Sequence, residues 1–110
     1  MSDKFLPPPF RVDIAREGDE TRLCPVGELD IGTAPQLEAA LLDASRPGRR
    51  VVVDLRGLEF MDSTGLTLLT RWALAAAADG FSLALVQGNE RIQRLFELTR
   101  LLTHFQFVSG

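Results

Sequence analysis

Val51-Val52-Val53-Asp54-Leu55-Arg56-Gly57-Leu58-Glu59-Phe60-Met61-Asp62-Ser63-Thr64-Gly65-Leu66 is the stretch that decides the fold. Its β-branched run, bounded by Arg50 and Arg56, has the pattern of a strand covered on both faces. From Leu66 onward apolar residues recur at helical spacing, with Leu66, Leu69, Ala73 and Ala76 on one stripe and Leu68, Trp72 and Ala75 on another. Asp62 falls at the junction, in the N-cap position, where a carboxylate accepts from the free N–H groups of the first turn and is worth about 1 kcal/mol over alanine. The Ser63 hydroxyl is then left at the exposed positive end of a helix, open to modification without unfolding anything. Gly65 costs up to about 1 kcal/mol against alanine in a first turn, so its presence predicts close approach by some other group.

Downstream, Asp79-Gly80 ends the helix before Phe81 to Val86, a second short apolar strand, and the two strands with the helix between them make a right-handed crossover. Gly88-Asn89 leads into a helix carrying Ile92, Leu95, Phe96 and Leu98, with Asn89 as cap; Thr99 to Leu102 add a last turn and Phe105 to Val108 a short closing strand. Upstream, Phe10, Val12 and Ile14 alternate with polar or small neighbours, and after the Glu17-Gly18-Asp19 turn Leu23 to Leu29 repeat the pattern, which reads as a hairpin. Pro25 within the second strand implies an edge or a bulge. Thr33 and Gln36 have capping-box spacing and Pro35 suits a first turn, so a helix starts there; Leu37, Ala40, Leu41 and Ala44 share its inner face, and Pro47-Gly48 stops it. Met1 to Pro9, ending in three prolines, reads as an extended arm outside the core. The order ββαβαβα predicts an α/β domain over residues 10–110, with a four- to five-stranded, mostly parallel sheet, an N-terminal hairpin and helices predominantly on one face.

Composition narrows the function. A chain of 110 residues that is 45% hydrophobic is one domain, burying roughly two-thirds of its unfolded surface. A formal charge of −3 argues against direct nucleic-acid binding, and Arg46, Arg49 and Arg50, the one basic cluster, read as a solvated loop. The longest mostly apolar stretch, Leu66 to Ala78, is interrupted by Thr67, Thr70 and Arg71, so no membrane span is expected and a cytoplasmic location is. Cys24 lies in an alternating stretch and reads as core; with His104 it cannot supply three or four metal ligands, so neither metal nor cofactor is expected. A hydrolase elbow would need glycine where Met61 stands, and a phosphate-cradling loop would need a following lysine, whereas Lys4 is the only lysine. No catalytic residue is assigned and the chain reads as a non-enzyme.

Gly27-Glu28-Leu29-Asp30, Val52-Val53-Asp54-Leu55, Phe60-Met61-Asp62-Ser63-Thr64-Gly65-Leu66 and Arg94-Leu95-Phe96-Glu97-Leu98, in that order and spacing, resemble the STAS domain of bacterial anti-sigma factor antagonists. The resemblance covers nearly everything after Pro9. It implies a partner kinase of the anti-sigma class, reversible phosphorylation of Ser63 with a phosphoserine phosphatase to reverse it, and no catalysis by this chain. Thr64 is the rival acceptor, on the same helix end. The switch turn is then Asp62, Ser63, Thr64 and Gly65, and the expected partner contact is Asp30, Gly32, Thr33, Asp62, Leu66 and Thr67, in a monomer or weak dimer. Thr67 departs from the small residue that members often carry there, and the arm has no counterpart in the minimal domain. Two other readings keep the fold: a scaffold module in a larger signalling or transport assembly, and a binder of a small anionic ligand or nucleotide at the Ser63 helix end.

Overall fold

The computed structural model describes residues 9–110; the arm expected over residues 1–9 lies, apart from Pro9, outside them. Strands β1 (Arg11–Glu17) and β2 (Glu20–Leu29) form the expected antiparallel hairpin, closed where Glu17 faces Glu20. Helix α1 (Ala34–Ala44) leads to β3 (Arg50–Asp54), a 3-10 turn at Leu55–Gly57 leads to β4 (Leu58–Met61), and α2 (Ser63–Asp79) leads to β5 (Ser82–Val86). Helix α3 (Glu90–Leu98) and a 3-10 turn at Leu102–His104 precede β6 (Gln106–Val108). The sheet order is β1-β2-β3-β5-β6 with β4 also on β2, and every pairing except that of the hairpin is parallel.

The main core joins Leu23 and Leu29 of β2, Val51 and Val53 of β3 and Leu85 of β5 to the inward residues of all three helices, which therefore pack on one face. Val52 points the other way and is equally buried, in a smaller cluster with Ala84, Val86 and Val108, as the two-faced strand pattern requires. Phe96 fastens α3 to the sheet, meeting Phe105 and Phe107 edge-on with ring centroids 5.2 and 5.6 Å away. Caps at two helices follow the sequence: Asn89 accepts from Ile92 N–H at 3.0 Å, and Gly80 ends α2 in the left-handed conformation at φ 79°.

Several local expectations change. The sheet has six strands rather than four or five, because the Val51 to Met61 stretch is two strands. The Asp54 carboxylate accepts from Arg56 N–H at 3.1 Å and curls the chain into the 3-10 turn, and β4 starts afresh on the second half of β2. Pro25 is on no edge: β2 pairs with β3 as far as Leu23 and with β4 from Gly27, and Pro25, which has no N–H to donate, sits in the gap between them. Gly57 closes on it there, since a Cβ would stand 3.0 Å from the Pro25 carbonyl oxygen. The bulge is two residues further on, between Gly27 and Glu28, where Glu59 is the extra residue on β4. The turn expected from Thr99 is present, with Thr99 N–H donating to the Leu95 carbonyl at 3.2 Å and Leu101 N–H to the Phe96 carbonyl at 3.1 Å, and a further 3-10 turn follows at Leu102–His104.

Cys24 is not in the main core but half-buried on the face away from the helices, one residue along β2 from the Leu23–Val53 pair and hence beside Asp54. Burial and the Asp54 charge push its thiol pKa up, so it stays protonated and unreactive at neutral pH. Asp54 itself is buried and holds Arg56 at 2.7 Å and Arg22 at 3.5 Å. The Arg56 hydrogen bonds outweigh burial and keep its carboxyl pKa below the usual range. A lowered folded-state pKa gives stability that is present above the unfolded pKa and lost as pH falls through the folded one. In urea titrations, the gap in midpoint between wild type and Asp54→Asn is therefore expected to be widest at neutral pH and to narrow on acidification.

Candidate functional site at the start of helix α2

The site is built where β2 and β4 end side by side. Leu29 pairs with Met61, and Asp62 N–H still donates to the Leu29 carbonyl at 3.1 Å, so the β2–α1 loop and the β4–α2 turn are locked together. Asp62 caps α2 as expected, accepting from Thr64 N–H at 2.8 Å and Gly65 N–H at 3.2 Å through one oxygen. Asp62→Ala is expected to cost about 1 kcal/mol, read as a lower thermal midpoint. Ser63, first residue of the helix, is exposed; Thr64 beside it is half-buried. The helix N-terminus behind Ser63 welcomes negative charge on it.

The close approach signalled by Gly65 comes from the protein itself. A Cβ there would lie 2.7 Å from Met61 Cγ and 2.8 Å from Leu29 Cδ2, so the first turn of α2 presses onto the strand ends with no room for a methyl group. Gly65 thus sets how far Ser63 stands above the sheet.

The residues expected at the partner surface divide. Asp30 and Thr33 build the neighbouring loop: Asp30 Oδ1 accepts from Gly32 N–H at 2.9 Å and Thr33 N–H at 3.1 Å, and Thr33 Oγ1 donates to the Glu28 carbonyl at 2.7 Å. Thr33 occupies the N-cap of α1 but makes no side-chain cap bond, so the capping box with Gln36 does not form; its hydroxyl is committed to β2 instead. Gly32 and Thr67 are exposed, whereas Leu66 is 3% exposed and belongs to the core, contributing only the floor of a cleft. That cleft, about 280 Å³, runs from Ser63 and Thr67 past Thr70 to Arg71, with Thr99 and Leu101 opposite.

Two exposed apolar side chains near the ends of β2 and β4 were not singled out from the sequence. Ile31, at the tip of the loop that Asp30 and Thr33 fold, is 78% exposed, and Phe60, on β4 two residues before Asp62, is 41% exposed. The signal for Ile31 was available: an isoleucine between Asp and Gly in a turn has no core to enter. Phe60 could not be found without knowing that β4 is a separate strand. Arg71, the cation in the Ser63 cleft, is held by Glu38 at 3.4 Å.

Among the described residues no helix is long and apolar enough to cross a membrane, and no group of three His, Cys, Asp or Glu is placed to hold a metal ion.

A family model described as Mlab, STAS domain, matches residues 12–107. Over 76 residues the chain is 40% identical to the anti-sigma-B factor antagonist of Staphylococcus aureus, covering 68% of this chain and 70% of that one. Over 92 residues it is 31% identical to the anti-sigma-B factor antagonist of Bacillus subtilis, covering 84% of each. The crystal structure of an anti-sigma factor antagonist from Mycobacterium paratuberculosis superposes with a TM-score of 0.75 at 25% identity, over 93% of this chain and 87% of that one.

Proposed function

This chain belongs to the STAS domain family, and from that membership and the geometry of the α2 turn we propose that it is an anti-sigma factor antagonist switched at Ser63. In the unmodified form it binds an anti-sigma factor of the serine-kinase type and so releases a sigma factor in the cytoplasm. Phosphorylation of Ser63 by that partner ends the binding, and a phosphoserine phosphatase restores it. The chain itself acts by binding, not by catalysis. The observation that carries the reading is the exposed Ser63 hydroxyl on a helix end where the Thr64 and Gly65 N–H groups are already taken by Asp62.

The same geometry favours Ser63 over Thr64 as acceptor. Thr64 is half-buried in the first turn, and a kinase needs the hydroxyl free to approach its phosphate donor in line. A phosphate on Ser63 is welcomed by the helix N-terminus but meets Asp62 one residue away. Arg71, which lines the same cleft, is already held by Glu38 at 3.4 Å. Ser63 is exposed, so the added charge faces outward, toward the partner. Incubating the protein with ATP and lysate of the native organism, then mapping phosphate by mass spectrometry, tests the assignment. Thr64→Val is expected to take up one phosphoryl group and Ser63→Ala none; the reverse would move the switch to Thr64.

A further inference from the structure

At the end of the molecule opposite Ser63, we infer a second binding site, for a phosphomonoester dianion, formed by Arg16, Arg46, Arg49 and Thr21. These side chains line a cavity of about 320 Å³ with Asp43 and Ala44. In the sequence only Arg46 and Arg49 stand together, and with Arg50 they read as a solvated loop. The fold separates the three: Arg50 turns to Glu20 at 3.4 Å, while Arg16 of β1, directly opposite Thr21 in the hairpin ladder, takes its place beside the other two. The site is eight residues along β2 from Leu29, about 26 Å from the switch turn.

Thr21 distinguishes this cavity from an ordinary basic surface. It is 1% exposed on the inner face of β2, and no described group engages its hydroxyl, which opens into the cavity. The hydroxyl is not an orphaned buried group; what Thr21 adds is a donor and acceptor on the cavity wall, where valine would fill the same space and offer neither. Three guanidinium groups and a hydroxyl together offer donors in several directions, which suits a tetrahedral phosphate with three terminal oxygens better than a planar carboxylate.

Asp43 now occupies part of this donor set, accepting from Arg16 at 2.8 Å and facing Arg46 at 4.0 Å. Both pairs are exposed and such pairs are worth about 0–1 kcal/mol, so a dianion can displace the carboxylate. With Asp43 included the cluster still carries two net positive charges. The C-terminal carbonyls of α1 oppose an anion, but Arg46 already answers two of them, through Nε to the Asp43 carbonyl at 3.3 Å and through N–H to Ala44 at 3.1 Å. Arg49 reaches the Gly18 carbonyl at 3.3 Å, which ties the hairpin turn to the α1–β3 loop on either side of the cavity. The volume exceeds that of a phosphate group alone, so the ligand is a small phosphorylated metabolite or a phospholipid headgroup.

The test is titration of the full chain, at constant ionic strength, with glycerol 3-phosphate and separately with phosphatidylcholine vesicles with and without phosphatidic acid, followed by amide chemical shifts. Saturable shifts at Thr21 and Arg49 but not at Ser63 are expected, with affinity at least tenfold weaker in Thr21→Val and in Arg46→Gln/Arg49→Gln. Shifts with the soluble ester alone identify a metabolite; shifts with phosphatidic acid vesicles alone identify a headgroup. Shifts at the α2 N-terminus only, an equal response to chloride, unchanged affinity in the variants, or silence toward both probes would each overturn the site. None of these outcomes bears on the Ser63 switch, which uses the other end of the sheet.

Discussion

Ser63→Asp is expected to bind the anti-sigma partner roughly a hundredfold more weakly than wild type, while Ser63→Ala binds at least as well as wild type and both variants melt close to it. A hundredfold is about 2.7 kcal/mol, well within what a negative charge costs when it is buried against a surface without a cation for it. On this chain Arg71, the cation lining the Ser63 cleft, is already held by Glu38, and Asp62 adds a like charge. The effect stays local because Ser63 is exposed and the cap bonds of α2 come from Asp62, so neither substitution removes a packing contact. Binding isotherms with the purified partner, read beside thermal melts, measure both halves. Equal affinities for the two variants would mean that Ser63 is only a helix start.

Gly65→Ala is expected to destabilise the domain by about 2 kcal/mol and to weaken partner binding as well. Alanine is the better helix former by up to about 1 kcal/mol, so propensity alone gives the opposite sign. Packing decides: the new methyl group would sit under 3 Å from Met61 and from Leu29, both core side chains with no solvent to retreat into, and overpacking of this kind costs about 1–3 kcal/mol. The domain can relieve the clash by lifting α2 from the strand ends, which would displace Ser63 relative to Ile31 and Phe60. Denaturant midpoints and partner affinity measured together report both consequences. A stabilised Gly65→Ala would show that the helix start is not pressed against the sheet.

These two residues also mark what the sequence could and could not reveal. Asp62, Ser63 and the helix behind them follow from local rules, because a cap acts within three residues of itself and an amphipathic stripe repeats every turn. The need for glycine at position 65 was visible, but its cause was not, since the atoms that crowd it come partly from Leu29, thirty-six positions earlier. The break of one long apolar run into β3 and β4 escaped for a similar reason: it depends on the Asp54 side chain bonding Arg56 N–H and on Pro25 lying across from Gly57. Thr33 shows a local rule overruled, its hydroxyl being drawn from the helix cap to the Glu28 carbonyl. Cys24 shows the limit of alternation, which separates the two faces of a strand without telling which one the helices cover.

Affinity capture from lysate of the native organism, with wild-type, Ser63→Ala and Ser63→Asp proteins as baits, tests most directly whether Ser63 controls who binds. A kinase-like anti-sigma factor held by the alanine bait and absent from the aspartate bait is the expected result. The same partners on all three baits would contradict it.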